Sequence, residues 1–104
     1  MLRTEAVVDL AAIRSNVATL KSATAAEVMA VVKADGYGHG LLASAHAAQA
    51  GGADWLGVAF VEEALALRAA GVEGRLMCWL AAPGEQLTKA ILADVDLSAS
   101  AAWM

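Results

Sequence analysis

Cysteine, proline, tyrosine and phenylalanine each occur once in these 104 residues, and lysine plus arginine number 7 against 11 acidic residues. A lone cysteine, Cys78, excludes an internal disulfide and fits a reducing compartment, while no Cys/His grouping has zinc-ligand spacing. The net charge of −4, without clustered Lys and Arg, argues against a nucleic-acid partner, whose phosphates would need neutralising. Long apolar runs are missing too. The longest stretch without a formal charge, Gly36 to Ala53, is broken by His39, His46, Gln49 and several glycines, so it cannot serve as a spanning helix. The opening MLRTEAVVDLAAIR places Glu5, Asp9 and Arg14 where a signal peptide needs a continuous apolar core. A cytoplasmic protein with no membrane partner is the expectation. What the chain has in excess is apolar surface: 60% hydrophobic residues and a mean hydropathy of +0.58. A small domain buries a limited fraction of its surface, so such an excess calls for more protein to cover it.

The pattern along the chain alternates between two periods. Asp9 is a candidate cap for a helix on which Leu10, Ile13, Val17 and Leu20 share one face. Val28 to Val32 then forms a short, continuous, β-branched run that reads as a strand buried on both faces. Leu41 to Ala50 reads as a helix stopped at Gly51-Gly52. Trp55 to Phe60 follows as a strand, Glu62 to Ala70 as a helix ended by Gly71, Arg75 to Leu80 as a strand, Gly84 to Ala93 as a helix after Pro83, and Val95 to Ser98 as the opening of a fourth strand. Buried strands alternating with helices over short connections imply parallel βαβ units, hence an α/β fold. Periodicity alone does not separate an open doubly wound sheet from a (β/α)₈ barrel, of which three to four units would make about half. Half a barrel would leave unpaired edge strands and an uncovered apolar inner face.

Chemistry concentrates in Val31-Val32-Lys33-Ala34-Asp35-Gly36-Tyr37-Gly38-His39-Gly40, where a lysine ends a buried strand and a glycine-rich loop follows at once. In parallel α/β folds the reacting residues sit at the carboxyl ends of strands. A lysine amine attacks an aldehyde only when its charge is disfavoured, which an apolar strand terminus can bring about. An ordinary strand-ending lysine instead snorkels its ammonium into solvent, and it is the surrounding decapeptide that sets Lys33 apart.

That decapeptide closely resembles the pyridoxal-phosphate lysine motif of the alanine racemase family, a Val-Val-Lys-Ala-Asn/Asp-Ala/Gly-Tyr-Gly-His-Gly run. The resemblance extends to Val8-Asp9-Leu10, Ala12-Ile13 and Asn16 before it. After it come Gly52 through Ala59, Glu62-Glu63-Ala64, Leu67-Arg68 and Gly71, so essentially the whole chain takes part. The resemblance implies the first half, about four units, of a parallel (β/α)₈ TIM-type barrel, with residues 1–104 as the N-terminal part of a barrel domain whose C-terminal β domain is absent. It implies pyridoxal 5′-phosphate as cofactor, held by Lys33 as a Schiff base, with Lys33 acting as one of two proton-transfer bases. Tyr37 would hydrogen-bond the cofactor phosphate, and Trp79, near the end of the third strand, would lie beside the cofactor. The implied reaction is the interconversion of L- and D-alanine, supplying D-alanine for peptidoglycan, in a homodimer with shared active sites. The family's second base is a tyrosine from the partner subunit's C-terminal domain. Tyr37 is too close to Lys33 in sequence to take that role, so these 104 residues alone are expected to be inactive. Related pyridoxal barrels include broad-specificity racemases, decarboxylases and cofactor-binding proteins without turnover, and a truncated product without function is a further reading; the Tyr-Gly-His-Gly continuation favours the racemase.

The remaining polar residues read as structural. Asp35 beside glycine is a turn former or cap, His39 a loop histidine bonded to nearby backbone, and His46 a helix residue with no partner at ligand spacing. Gly36, Gly38 and Gly40 give permissive backbone rather than a phosphate-binding fingerprint. Glu62 and Glu63 are helix-start charges. Cys78 and Trp55, with Leu56, read as core.

Overall fold

A computed structural model of the chain describes residues 4–80, 86–100 and 102. Helix α1 (Leu10–Ser22) begins at Asp9, whose side chain accepts from the Ala12 amide at 3.0 Å, satisfying one of the unpaired amides of a helix start. Strand β1 (Met29–Val31) runs into a helical turn α2 (Lys33–Tyr37), followed by α3 (Leu41–Ala50), β2 (Trp55–Val58), α4 (Val61–Ala69), β3 (Arg75–Cys78), α5 (Leu87–Leu92) and β4 (Asp96–Leu97). The expected start of the α5 helix at Gly84 lies outside the described residues. Each strand is shorter than its apolar run, because the flanking residues serve as caps and loop positions. Phe60, expected to close the second strand, is instead the extended N-cap of α4.

The four strands form one sheet in the order β1-β2-β3-β4, every pairing parallel. Sequential order without a reversal is the progression of a barrel wall, whereas a doubly wound sheet reverses direction at a switch point. The structure therefore resolves the choice that periodicity left open: this is a partial (β/α)₈ barrel. Register sets the faces, since side chains alternate along each strand. Val32, Leu56, Val58, Leu76 and Cys78 are buried on the outer face, against Ala45, Ala48, Ala64, Leu67 and Ala90 of the helices. Alanine at these helix positions lets the helices lie close to the sheet. The Cys78 thiol donates to the Ala59 carbonyl at 3.4 Å.

The inner face departs from the expectation of strands buried on both sides. Val31 is 37% exposed, Met29 and Met77 are half-buried, and Arg75 and Asp96 are exposed. Two-residue alternation puts these side chains on the face away from the helices. Trp55 is a correction for the same reason: it is half-buried rather than core. Its indole N–H donates to Glu27 at 2.7 Å and the Arg75 guanidinium stacks 4.0 Å from its ring centroid. Helix α1 also buries less than its apolar stripe suggested, with no fully buried residue and Leu20 61% exposed.

Two polar clasps tie the layers together. The Arg68 guanidinium donates to the carbonyls of Val72, Gly74, Ala93 and Asp94 at 2.8–2.9 Å, joining the end of α4 to the connections around β3 and β4. At β1, Asp54 accepts from Lys21 Nζ at 2.5 Å and from the Val28 amide at 2.7 Å. The Lys21 hydrogen bond, and then the Val28 amide, hold the Asp54 carboxyl below the usual carboxylate range. Because the folded value is depressed, the stabilisation is present above the unfolded carboxylate pKa and is lost as pH falls through the folded one. Asp54→Asn is therefore expected to lower stability at neutral pH and to flatten its acid dependence, read as the urea midpoint between neutral and strongly acidic pH.

Candidate active site

Lys33 stands where β1 ends. The Val32 amide donates to the Gly57 carbonyl at 2.9 Å, extending the sheet by one residue beyond Val31, so Lys33 is carried directly on sheet backbone. It is half-buried, and its Nζ lies 5.9 Å from the centroid of the Tyr37 ring. Among the described residues the ion pairs are Lys21–Asp54 and Arg75–Asp96, and Lys33 belongs to neither.

The loop after Lys33 is the least expected part of the structure. Ala34, Asp35, Gly36 and Tyr37 all have φ between +53° and +63°, a left-handed turn that costs non-glycine residues roughly 1–2 kcal/mol each. Backbone strain of this kind persists only where its surroundings over-determine it, and it clusters at functional sites. Several hydrogen bonds hold the turn: Gly36 N–H to Val32 O at 2.9 Å, Gly40 N–H to Asp35 O at 2.8 Å, and the Leu41 amide to Asp35 Oδ1 at 2.8 Å. Asp35 is thus the turn and cap residue that its sequence context suggested. His39 Nδ1 lies 2.9 Å from the Gly36 carbonyl, again a local backbone contact, and His46 is an exposed helix residue. Gly36 is buried against Ser44 of α3, where a Cβ would stand 2.6 Å from Ser44 Oγ.

Tyr37 projects from this turn 59% exposed. Trp79 follows β3 at the same carboxyl end of the sheet. Its amide donates to Val58 O at 3.2 Å and its carbonyl accepts from Ser98 Oγ. The Trp79 ring and Met29 Sδ occupy the space that a side chain at Gly57 would need. That glycine is what allows the indole to lie down on β2.

Glu63 is the residue that sequence reasoning undervalued. Its Oε1 accepts from the amides of Phe60 at 3.0 Å and Ala59 at 3.2 Å, and its Oε2 reaches across to the Ala34 amide at 2.8 Å. A glutamate three residues after a helix cap is the signal for the local half of this arrangement; the contact to Ala34, 29 residues away, has no local signature. Glu62, its neighbour, is exposed, a helix-start charge as expected.

Of the hollows among the described residues, two lie beside strands of the sheet. One of about 700 Å³, lined by Arg68, Glu73, Arg75 and Asp94, is at the amino ends of β3 and β4, the side opposite to Lys33. The other, about 400 Å³ and mostly apolar, lies between α1, β1 and α3 behind the Lys33 loop, with Val17, Val32 and Ser44 in its wall. Among the described residues no group of three or more His, Cys, Asp or Glu could hold a metal ion, and no helix is long and apolar enough to cross a membrane.

Known proteins resemble the chain over nearly its whole length. The chain is 62% identical over 103 residues to the alanine racemase of Frankia casuarinae, covering 98% of this chain and 27% of that protein. The structure of alanine racemase from D-cycloserine producing Streptomyces lavendulae superposes with a TM-score of 0.89 at 52% identity, over 92% of this chain and 25% of that one. Alanine racemase from Bartonella henselae with covalently bound pyridoxal phosphate superposes with a TM-score of 0.75 at 29% identity, over 86% of this chain and 27% of that one. The chain thus spans about a quarter of the length of these relatives. The family model for the N-terminal domain of alanine racemase matches residues 8–104, and the chain belongs to that family.

Proposed function

We propose that the protein to which these residues belong is a pyridoxal-phosphate-dependent alanine racemase, and that they form the N-terminal part of its barrel domain. The observation that carries the reading is Lys33: a half-buried residue at the carboxyl end of β1, outside the ion pairs among the described residues, and followed at once by a strained turn. The residues present suit the cofactor. An amine for its aldehyde, an exposed phenol for its phosphate and an indole lying on the sheet all occur at one end of the strands. Pyridoxal phosphate, when bound, supplies an electron sink for the charge left on the α-carbon of alanine as its proton departs.

Lys33 would hold the cofactor covalently through Nζ and exchange a proton with the α-carbon on its own face. Tyr37 would donate its hydroxyl to the phosphate, fixing the ring's position. Trp79 would close the apolar side of the site and exclude water from it. Racemisation needs a base on each face, and the chain's single tyrosine, Tyr37, is committed beside Lys33. The opposing base would come from elsewhere in a homodimer with shared sites. The product, D-alanine, would serve peptidoglycan synthesis in the cytoplasm.

The test is direct. The full-length protein with pyridoxal phosphate is expected to convert L-alanine to D-alanine and back, followed by circular dichroism, while residues 1–104 alone give no turnover. Absence of conversion by the full-length protein would remove the reading.

A further inference from the structure

We infer that Glu63 is a positioning residue for Lys33, fastening the turn that follows the lysine to the head of α4. The inference rests on the functional reading of Lys33 and extends it to a residue that touches neither cofactor nor substrate. Three amides converge on one carboxylate. Two of them, Ala59 and Phe60, belong to the β2–α4 connection, and the third is Ala34, the residue next to Lys33. The Ala34 amide is hydrogen-bonded to Glu63 alone among the described residues. Charge-assisted hydrogen bonds to a carboxylate are about twice as strong as neutral ones. They oppose the cost of left-handed backbone at Ala34 and Asp35.

The span explains why glutamate stands here. At the third position of α4 a carboxylate caps its own helix start with one oxygen; only a side chain long enough to send the other oxygen outward can also reach the neighbouring strand's loop. Positions a few ångströms apart on β1 and β2 are thereby locked at their carboxyl ends, where the angle at which Lys33 leaves the sheet is decided. Misplacing a reacting group by about 1 Å can cost as much as a hundredfold in rate.

The experiment compares the full-length protein with Glu63→Asp, Glu63→Gln, Glu63→Ala and the exposed neighbour Glu62→Ala. Two readouts are taken on samples shown to be folded by their melting curves: hydrogen exchange at the Ala34 amide, and the rate of covalent capture of pyridoxal phosphate trapped by borohydride. Aspartate keeps the charge and the local cap but lacks the reach. Glu63→Asp is therefore expected to exchange at Ala34 and to slow capture by about tenfold, with Glu63→Gln between it and wild type and Glu62→Ala unchanged. Wild-type exchange and capture rates in folded Glu63→Asp would overturn the inference while leaving Lys33 as the attachment point. If the unsubstituted protein captures no cofactor, the functional reading itself fails, and the role of Glu63 with it.

Discussion

Lys33→Ala in the full-length protein is expected to abolish cofactor capture and to lower alanine racemisation by roughly a thousandfold or more, since under the proposed function it removes both the attachment point and one proton-transfer base. Stability should barely move. Among the described residues Lys33 makes no ion pair, and its Nζ lies 5.9 Å from the Tyr37 ring centroid, a contact worth about 0.5–1 kcal/mol at an exposed site. The two effects together are diagnostic: a residue whose loss removes function at nearly unchanged stability is held for its chemistry. Cofactor absorbance, racemisation by circular dichroism and a urea midpoint on the same preparation separate them. A variant that unfolds, or one that retains the cofactor band, would contradict the account.

The second large effect is at Gly36. Ala34, Asp35 and Tyr37 adopt the left-handed region without being glycine, so positive φ alone does not explain why residue 36 is. The distinguishing feature is space. A Cβ there would meet Ser44 Oγ at 2.6 Å and Ser44 Cβ at 3.0 Å, and both residues are buried. Gly36→Ala is expected to lower stability by roughly 2–4 kcal/mol, combining overpacking with the left-handed cost, and to slow cofactor capture because the turn that carries Lys33 must shift. Ser44 offers a way to divide the two terms. Its hydroxyl is buried without a hydrogen-bond partner among the described residues, so Ser44→Ala by itself should cost nothing. Combined with Gly36→Ala it should restore part of the lost stability. Denaturant midpoints of the two single variants and the double variant measure that coupling directly.

Those two positions also show what a sequence discloses and what it withholds. The placement of Lys33 at a strand end was legible because every part of its signal is local: an apolar strand, a terminal lysine and a glycine-rich continuation within ten residues. The alternation of strands and helices was legible for the same reason, through hydrophobic period. Hydrophobic period alone left the architecture open, because strand order is a property of pairing between distant segments; the family resemblance implied the barrel, and the sequential parallel sheet bears it out. The left-handed turn was hidden because alanine and aspartate prefer right-handed backbone. Their conformation is imposed by Glu63, by the Asp35 bond to Leu41 and by packing on Ser44. Trp55 was misassigned because a continuous apolar run does not say which residues face the helices. Register places Trp55 opposite Arg75, on the face where its ring meets a guanidinium.

A strand of β-branched residues brings Lys33 to the carboxyl end of the sheet, a small residue at Gly57 lets Trp79 lie flat across the next strand, and a carboxylate from α4 holds the intervening backbone. The position of Lys33 then depends on contacts distributed over several strands and helices.

The central claim is that Lys33 is the cofactor lysine, and peptide mapping of the full-length protein, saturated with pyridoxal phosphate and reduced with borohydride, tests it most directly. The account predicts the pyridoxyl mass on the peptide containing Lys33, with Lys21 and Lys89 unlabelled. Label on another lysine with Lys33 left free, or no stable label at all, would contradict it.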